Sequence, residues 1–223
     1  MSVLTVSELF DLSHTLAAEY LSQYVDPWEA LPGLGDLIAR LGPALGEEYI
    51  ERAPAVWVHR TAVIAPTAYL GERCIIGPGT EVRHGAFLRG GALVGGDCVV
   101  GNSVELKNVI LFDKVQTPHY NYVGDSILGY RAHMGAGSIT SNVKSDRTNV
   151  VVKADPPVAT GLKKLGAMLG DFVEVGCNSV LNPGTVVGRR SSVYPLTSVR
   201  GVIPADCIVK SGGFTVAEKA EKR

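Results

Sequence analysis

The chain has 223 residues, with 21 Lys and Arg against 22 Asp and Glu, 19% charged and 46% hydrophobic residues, 26 Gly and 12 Pro. The charged fraction lies below the roughly 25% of an ordinary soluble domain, and the near-neutral balance excludes the electrostatic footprint of a duplex-DNA or anionic-membrane binder while leaving room for a local basic pocket. No apolar run reaches the roughly 18 residues of a membrane span, and Met1-Ser2-Val3-Leu4-Thr5 lacks the basic start of a signal peptide, so the chain reads as cytoplasmic.

The segment 1–55 reads as a helical cap. Thr5-Val6-Ser7-Glu8 is a capping-box sequence, and Leu9, Leu12, Leu16 and Tyr20 follow at helical spacing, predicting a helix near 6–24 and a weaker one over Asp36 to Leu41. Such a segment is suited to covering the open end of a repeat array, where strand edges and core are otherwise exposed.

From position 56 a period of six takes over. Val58, Ile64, Leu70, Ile76, Val82, Leu88, Val94, Val100, Leu106 and Phe112 recur in register, and a small residue follows four positions after each of the first seven. The period returns at Leu128, Met134 and Thr140, and again at Leu169, Val175, Leu181, Val187, Val193 and Val199. Six fits neither a helix nor one long strand; it fits short strands joined at corners, three hexads to a coil, which is the hexapeptide repeat of a parallel β-helix. The hexads amount to about six coils over 56–210, leaving 211–223 as a charged tail, a short helix or frayed. Cys74, Cys98, Cys177 and Cys207 lack CxxC spacing and read as buried free thiols of a reducing compartment.

The pattern breaks twice. Between Phe112 and Leu128 lies Gln116-Thr117-Pro118-His119-Tyr120-Asn121-Tyr122-Val123-Gly124-Asp125, which reads as a loop decorating one corner. Ser141 to Met168 reads as a long projecting loop, basic and partly apolar, suited to wrapping a neighbouring subunit or a ligand such as coenzyme A. Arg89 and Lys107 each directly follow an inward aliphatic residue, and three hexads separate them. One coil apart, they stack at about the inter-strand spacing of roughly 4.8 Å. An anion between them, such as a phosphate, would relieve the repulsion.

Asn102-Ser103-Val104-Glu105-Leu106-Lys107-Asn108, His119 to Asp125, and Met134-Gly135-Ala136-Gly137-Ser138-Ile139-Thr140-Ser141-Asn142 together resemble the C-terminal acetyltransferase domain of the bifunctional bacterial enzyme that makes UDP-N-acetylglucosamine. With its helical start, the chain resembles the short UDP-N-acetylglucosamine pyrophosphorylase-related proteins, without the nucleotidyltransferase half. The resemblance implies a left-handed β-helix, a homotrimer, and acetyl-CoA-dependent N-acetylation of a hexosamine 1-phosphate. It makes His119 the general base, a role suited to an imidazole's ordinary pKa near about 6.5. It assigns Arg89 and Lys107 to the sugar phosphate and Tyr122, His133 and Asn142 to substrate contacts, and places Cys177 near acetyl-CoA. His133 stands where the family has a substrate-binding Asn, Val143 replaces a Tyr, and Cys177 replaces a frequent Ser. Two alternatives stand beside this: a non-catalytic sugar-phosphate or sugar-nucleotide binding partner of a separate nucleotidyltransferase, and a three-His zinc enzyme of the β-helical kind.

Overall fold

The computed structural model describes residues 4–210 and 216–218. The chain is mainly β, a left-handed parallel β-helix with few helices. Strands on the first face run Val56–His59, Cys74–Ile76, Ala92–Val94, 109–111, 126–128, Ala167–Leu169, Thr185–Val187 and Val202–Ile203, each parallel to the next. The second face is a nine-stranded sheet from Val63–Ile64 to Cys207–Val209, closed by Val216–Glu218 running antiparallel. There are about nine turns rather than six. Part of the expected tail is thus a strand, and the rest of 211–223 lies outside the described residues.

Coil length is not constant. Leu88 pairs with Leu106, three full hexads on, but Leu106 pairs with Val123 and Val94 with Leu111, each one position short of three hexads. The full spacing returns between Leu169 and Val187. Phe112 is therefore one position out of register, and the segment before Leu128 is no loop. Gln116–His119 and Tyr122–Leu128 are strands of regular coils that are each shorter by one residue, joined at the corner where Tyr120 takes φ 53°. The first-coil residues Ile64 and Leu70 are only half-buried, because no coil precedes theirs.

On the first face both sides of the sheet are buried. Side chains alternate along a strand, so Cys74 and Ile76 point inward and Ile75 outward; yet Ile75, Leu93, Ile110 and Ile127 are all fully buried. Their cover is the N-terminal segment, which lies along this face, while its last strand, Tyr49–Ala53, pairs antiparallel with Val56–His59 at the open edge of the first coil. Helix Leu34–Leu41 packs on strand Glu105–Leu111, and the turn Pro27–Ala30 packs on strand Tyr122–Leu128. Gly42 abuts the Trp57 ring, where a Cβ would collide with it, and Phe10 stacks on Phe112 with ring centroids 5.1 Å apart.

The expected helix over 6–24 is broken into Val6–Leu9, a 3-10 turn Leu12–His14, and Ala18–Leu21. The Thr5–Glu8 capping box forms as expected. What ends the helix is tertiary. Asp171, buried in the solenoid, donates its N–H to the Leu9 carbonyl at 3.0 Å and accepts the Asp11 N–H at 2.7 Å, so the chain leaves the helix at Phe10 to meet it. Asp11 then caps the next turn through Ser13.

Phe10→Ala is expected to lower the unfolding free energy by about 3–5 kcal/mol, the cost of emptying an aromatic core position, and to expose the apolar first face to a hydrophobic dye. Urea unfolding with a loss below about 1 kcal/mol would show that the segment is held loosely.

Candidate functional site

The third face carries strands Tyr69–Leu70, Phe87–Leu88, 105–107, 122–124, Ile139–Thr140, Val180–Leu181 and Ser198–Val199, and its corner with the first face carries most of the polar chemistry. Leu70, Leu88, Leu106, Val123, Thr140, Leu181 and Val199 stack as inward residues. The positions that follow them, Gly71, Arg89, Lys107, Gly124, Ser141, Asn182 and Arg200, therefore form one outward column. Arg89 and Lys107 are neighbours in it, as their spacing predicts, and the Arg89 N–H bonds the Leu106 carbonyl at 2.9 Å.

Within the chain, carboxylates already offset the repulsion of the two cations. Each cation has its own carboxylate: Arg89 Nη1 donates to Glu105 Oε1 at 2.8 Å, and Lys107 Nζ donates to both Asp125 oxygens at 2.8 and 3.1 Å. Asp125 is the centre of the arrangement. Its side chain is 5% exposed and its backbone sits at φ 48°. It also accepts from Asn108 Nδ2 at 2.9 Å and from Asn142 Nδ2 at 2.6 Å, and Asn142 Nδ2 in turn lies 3.0 Å from the Tyr122 hydroxyl. Burial pushes the Tyr122 hydroxyl above its ordinary pKa, with the Asp125 charge adding to the effect. Gly124 is required here, because a Cβ would collide with the Tyr122 hydroxyl and stand 2.9 Å from Asn142 Nδ2. Arg89 is half-exposed and a guanidinium carries several N–H donors, so most of them remain open to a ligand.

The structure thus gathers Arg89, Lys107, Tyr122 and Asn142, and it adds Glu105, Asn108 and Asp125, which the sequence reading did not assign. Asn108, Asp125 and Asn142 recur at the shorter coil length, one position less than three hexads; counting in whole hexads hid that ladder.

His119 ends the strand Gln116–His119, three residues before Tyr122, on the corner between the second and third faces. Its backbone N–H is held by Asn121 Oδ1 at 3.2 Å and its carbonyl accepts the Gly137 N–H at 3.0 Å. The ring is exposed and has no hydrogen-bond partner among the described residues. Cys177 belongs to the same corner column. The residue following each member of it donates to the carbonyl one coil back: Gly137 to His119, and Asn178 to Ala136. His119 and Cys177 are therefore two layers apart, about 9–10 Å at the inter-strand spacing.

Cys177 is exposed, against the expectation of four buried thiols, because it occupies the corner rather than an inward position. His133 joins neither group. It sits on the second face beside Gln116, with Nδ1 2.9 Å from Glu174 Oε2. His59 and His84 are bonded to Thr61 and Thr67.

The Ser141–Met168 segment does not project freely. Val150, Val152 and Leu165 are buried, and Val151–Val152 pairs antiparallel with Val158–Ala159. It folds back along the corner column below Asn142.

These features define a class, a hexapeptide-repeat solenoid with a polar, ion-paired corner and an exposed histidine one face away. The chain is a hexapeptide-repeat protein related in sequence to the bifunctional GlmU proteins. It is 34% identical over 110 residues to bifunctional protein GlmU of Methanococcus maripaludis, covering 49% of this chain and 24% of that protein. It is 33% identical over 171 residues to GlmU of Nostoc sp., covering 77% of this chain and 33% of that protein. The chain thus spans about a quarter to a third of the curated relatives it matches. A solved hexapeptide transferase family protein from Anaplasma phagocytophilum aligns with a TM-score of 0.41 at 14% identity, covering 75% of this chain and 82% of that one. No family model matches the chain.

Asp125→Ala leaves the Lys107 ammonium and two amides without their acceptor, and is expected to cost on the order of 3 kcal/mol. The double variant Lys107→Met/Asp125→Ala is expected to recover part of that loss in urea unfolding; an equal loss in both would show that the pairing contributes nothing. A second test reads the thiols. Burial pushes Cys74 and Cys98 up to about 12, and the thiolate is the reactive form. A thiol reagent on the native chain is expected to label Cys177 rapidly, and Cys74 and Cys98 only after unfolding. Rapid labelling of Cys98 would contradict the packing.

Proposed function

We propose that the chain is an acyltransferase of sugar metabolism that moves the acetyl group of acetyl-CoA to the amine of a hexosamine 1-phosphate such as glucosamine 1-phosphate. The observation that carries this reading is the placement of His119 and the Arg89, Lys107, Tyr122 and Asn142 group at consecutive corners of one coil, with Tyr122 three residues after His119, in a chain related to GlmU. The amine lone pair attacks the thioester carbonyl carbon, His119 takes the proton lost by the amine, and the carbon–sulfur bond breaks to release CoA, whose thiolate is reprotonated. Arg89 and Lys107 hold the phosphate with the N–H groups their carboxylates leave open, and Tyr122 and Asn142 orient the sugar. Cys177, two layers from His119, lies against acetyl-CoA. His133 contacts substrate from the second face.

Assembly as a homotrimer in the cytoplasm belongs to the same proposal. Exposed apolar side chains outside the covered first face, among them Val63, Tyr69 and Phe87, support association between copies. One observation favours a second reading, a silent sugar-phosphate binder that partners a separate nucleotidyltransferase: Arg89 and Lys107 are each already paired with a carboxylate.

CoA release assayed over a panel of amino-sugar 1-phosphates separates the two. The acyltransferase reading expects turnover with at least one of them, and a loss of about 10²–10⁴ in kcat for His119→Ala. Thermal stabilisation by a sugar phosphate without CoA release from any member of the panel would overturn it in favour of the binder.

A further inference from the structure

A second cleft lies further along the same corner column. About 760 Å³ in volume, it lies partly open between the inserted segment and the solenoid, and its lining includes Ser141, Lys144, Asp146, Lys153, Asn182 and Arg200. Arg200 occupies the column position of Arg89 and Lys107, four layers beyond Lys107. Here the ion pairing differs. Lys144 is paired with Asp146 at 3.2 Å, whereas neither Lys153 nor Arg200 meets a carboxylate among the described residues. Among the described residues Arg200 Nη2 donates only to the neutral Asn182 Oδ1, at 3.1 Å.

The cleft is built rather than incidental. Gly184 and Gly201 take φ 77° and 87° at successive corners, and a Cβ on either would stand 2.8 Å from the insertion, against Val150 Cγ1 and the Lys153 carbonyl respectively. The two glycines let the insertion seat against the column, and the buried Val150, Val152 and Leu165 keep it there. Lys153 from the insertion and Arg200 from the solenoid thereby line the same cleft, together with Ser141 and Asn182.

We propose that this cleft is an anion site for the phosphate of a small organic ligand, held by Lys153 as a point charge and Arg200 as a fork. The phosphate has two available sources, a sugar phosphate or the phosphates of an adenine nucleotide such as a coenzyme carries. The proposal stands apart from acyl transfer, since it is read by binding alone.

The test is calorimetric titration of the full chain with inorganic pyrophosphate, glucosamine 1-phosphate and adenosine 3′,5′-bisphosphate, repeated on Lys153→Ala/Arg200→Ala. Both side chains are exposed, so an unchanged thermal midpoint without ligand is expected to confirm folding. Pyrophosphate affinity is expected to fall at least about tenfold, the equivalent of one lost charge-assisted hydrogen bond. A matching loss in the sugar arm or in the adenosine arm identifies the source. Gly201→Ala, which displaces the insertion without removing a charge, is expected to weaken pyrophosphate binding as well. Affinities within twofold of wild type for all three probes in the double variant would overturn the proposal.

Discussion

The backbone ladder between successive coils is the constraint on which everything else rests. In a parallel solenoid each strand bonds only the coils above and below it, so the residue count per coil decides which side chains stack. In a coil of three full hexads Arg89 falls on Lys107. In the shorter coils, from Leu106 onward, Asn108, Asp125 and Asn142 fall into line, and Asp125 comes within reach of the Lys107 ammonium. The loss of a single residue per coil is thus what assembles the polar corner. It also moves Phe112 out of the inward register to where Phe10 packs on it.

The cover on the first face follows from the same ladder. Val56-Trp57-Val58, Cys74-Ile75-Ile76 and Ala92-Leu93-Val94 are uninterrupted apolar runs, the mark of strands buried on both sides, while strands on the second face carry Glu81, Gln116 or Glu174 outward. The first face therefore needs a partner, and the N-terminal segment supplies it within the chain. The N-terminal segment leaves the second and third faces, with both corners of the candidate site, uncovered.

Much of this was legible in the residues. The hexad period located nearly every inward position, the capping box at Thr5 formed, and the Arg89–Lys107 spacing predicted their stacking. The lost registers have physical causes. A fixed period of whole hexads could not reveal a coil one residue shorter, so the regular coil before Leu128 read as a loop and Asp125 went unassigned. Local helical spacing could not anticipate that Asp171, far along the chain from Asp11, would draw it out of its helix. The triple apolar runs did signal a covered face, but inward periodicity alone does not ask what lies outside. Ionic pairing was the least visible feature: Glu105 lies two positions from Lys107 in sequence, yet it serves Arg89 on the coil before.

The account turns on whether the ion-paired corner takes a phosphate in spite of its own carboxylates. Equilibrium binding of glucosamine 1-phosphate, compared with glucosamine and with the Arg89→Ala chain, tests this most directly. The account predicts measurable affinity for the phosphorylated sugar, little for the free amine sugar, and a loss of about tenfold or more in Arg89→Ala. Equal affinity for the sugar with and without its phosphate, unchanged by Arg89→Ala, would contradict it.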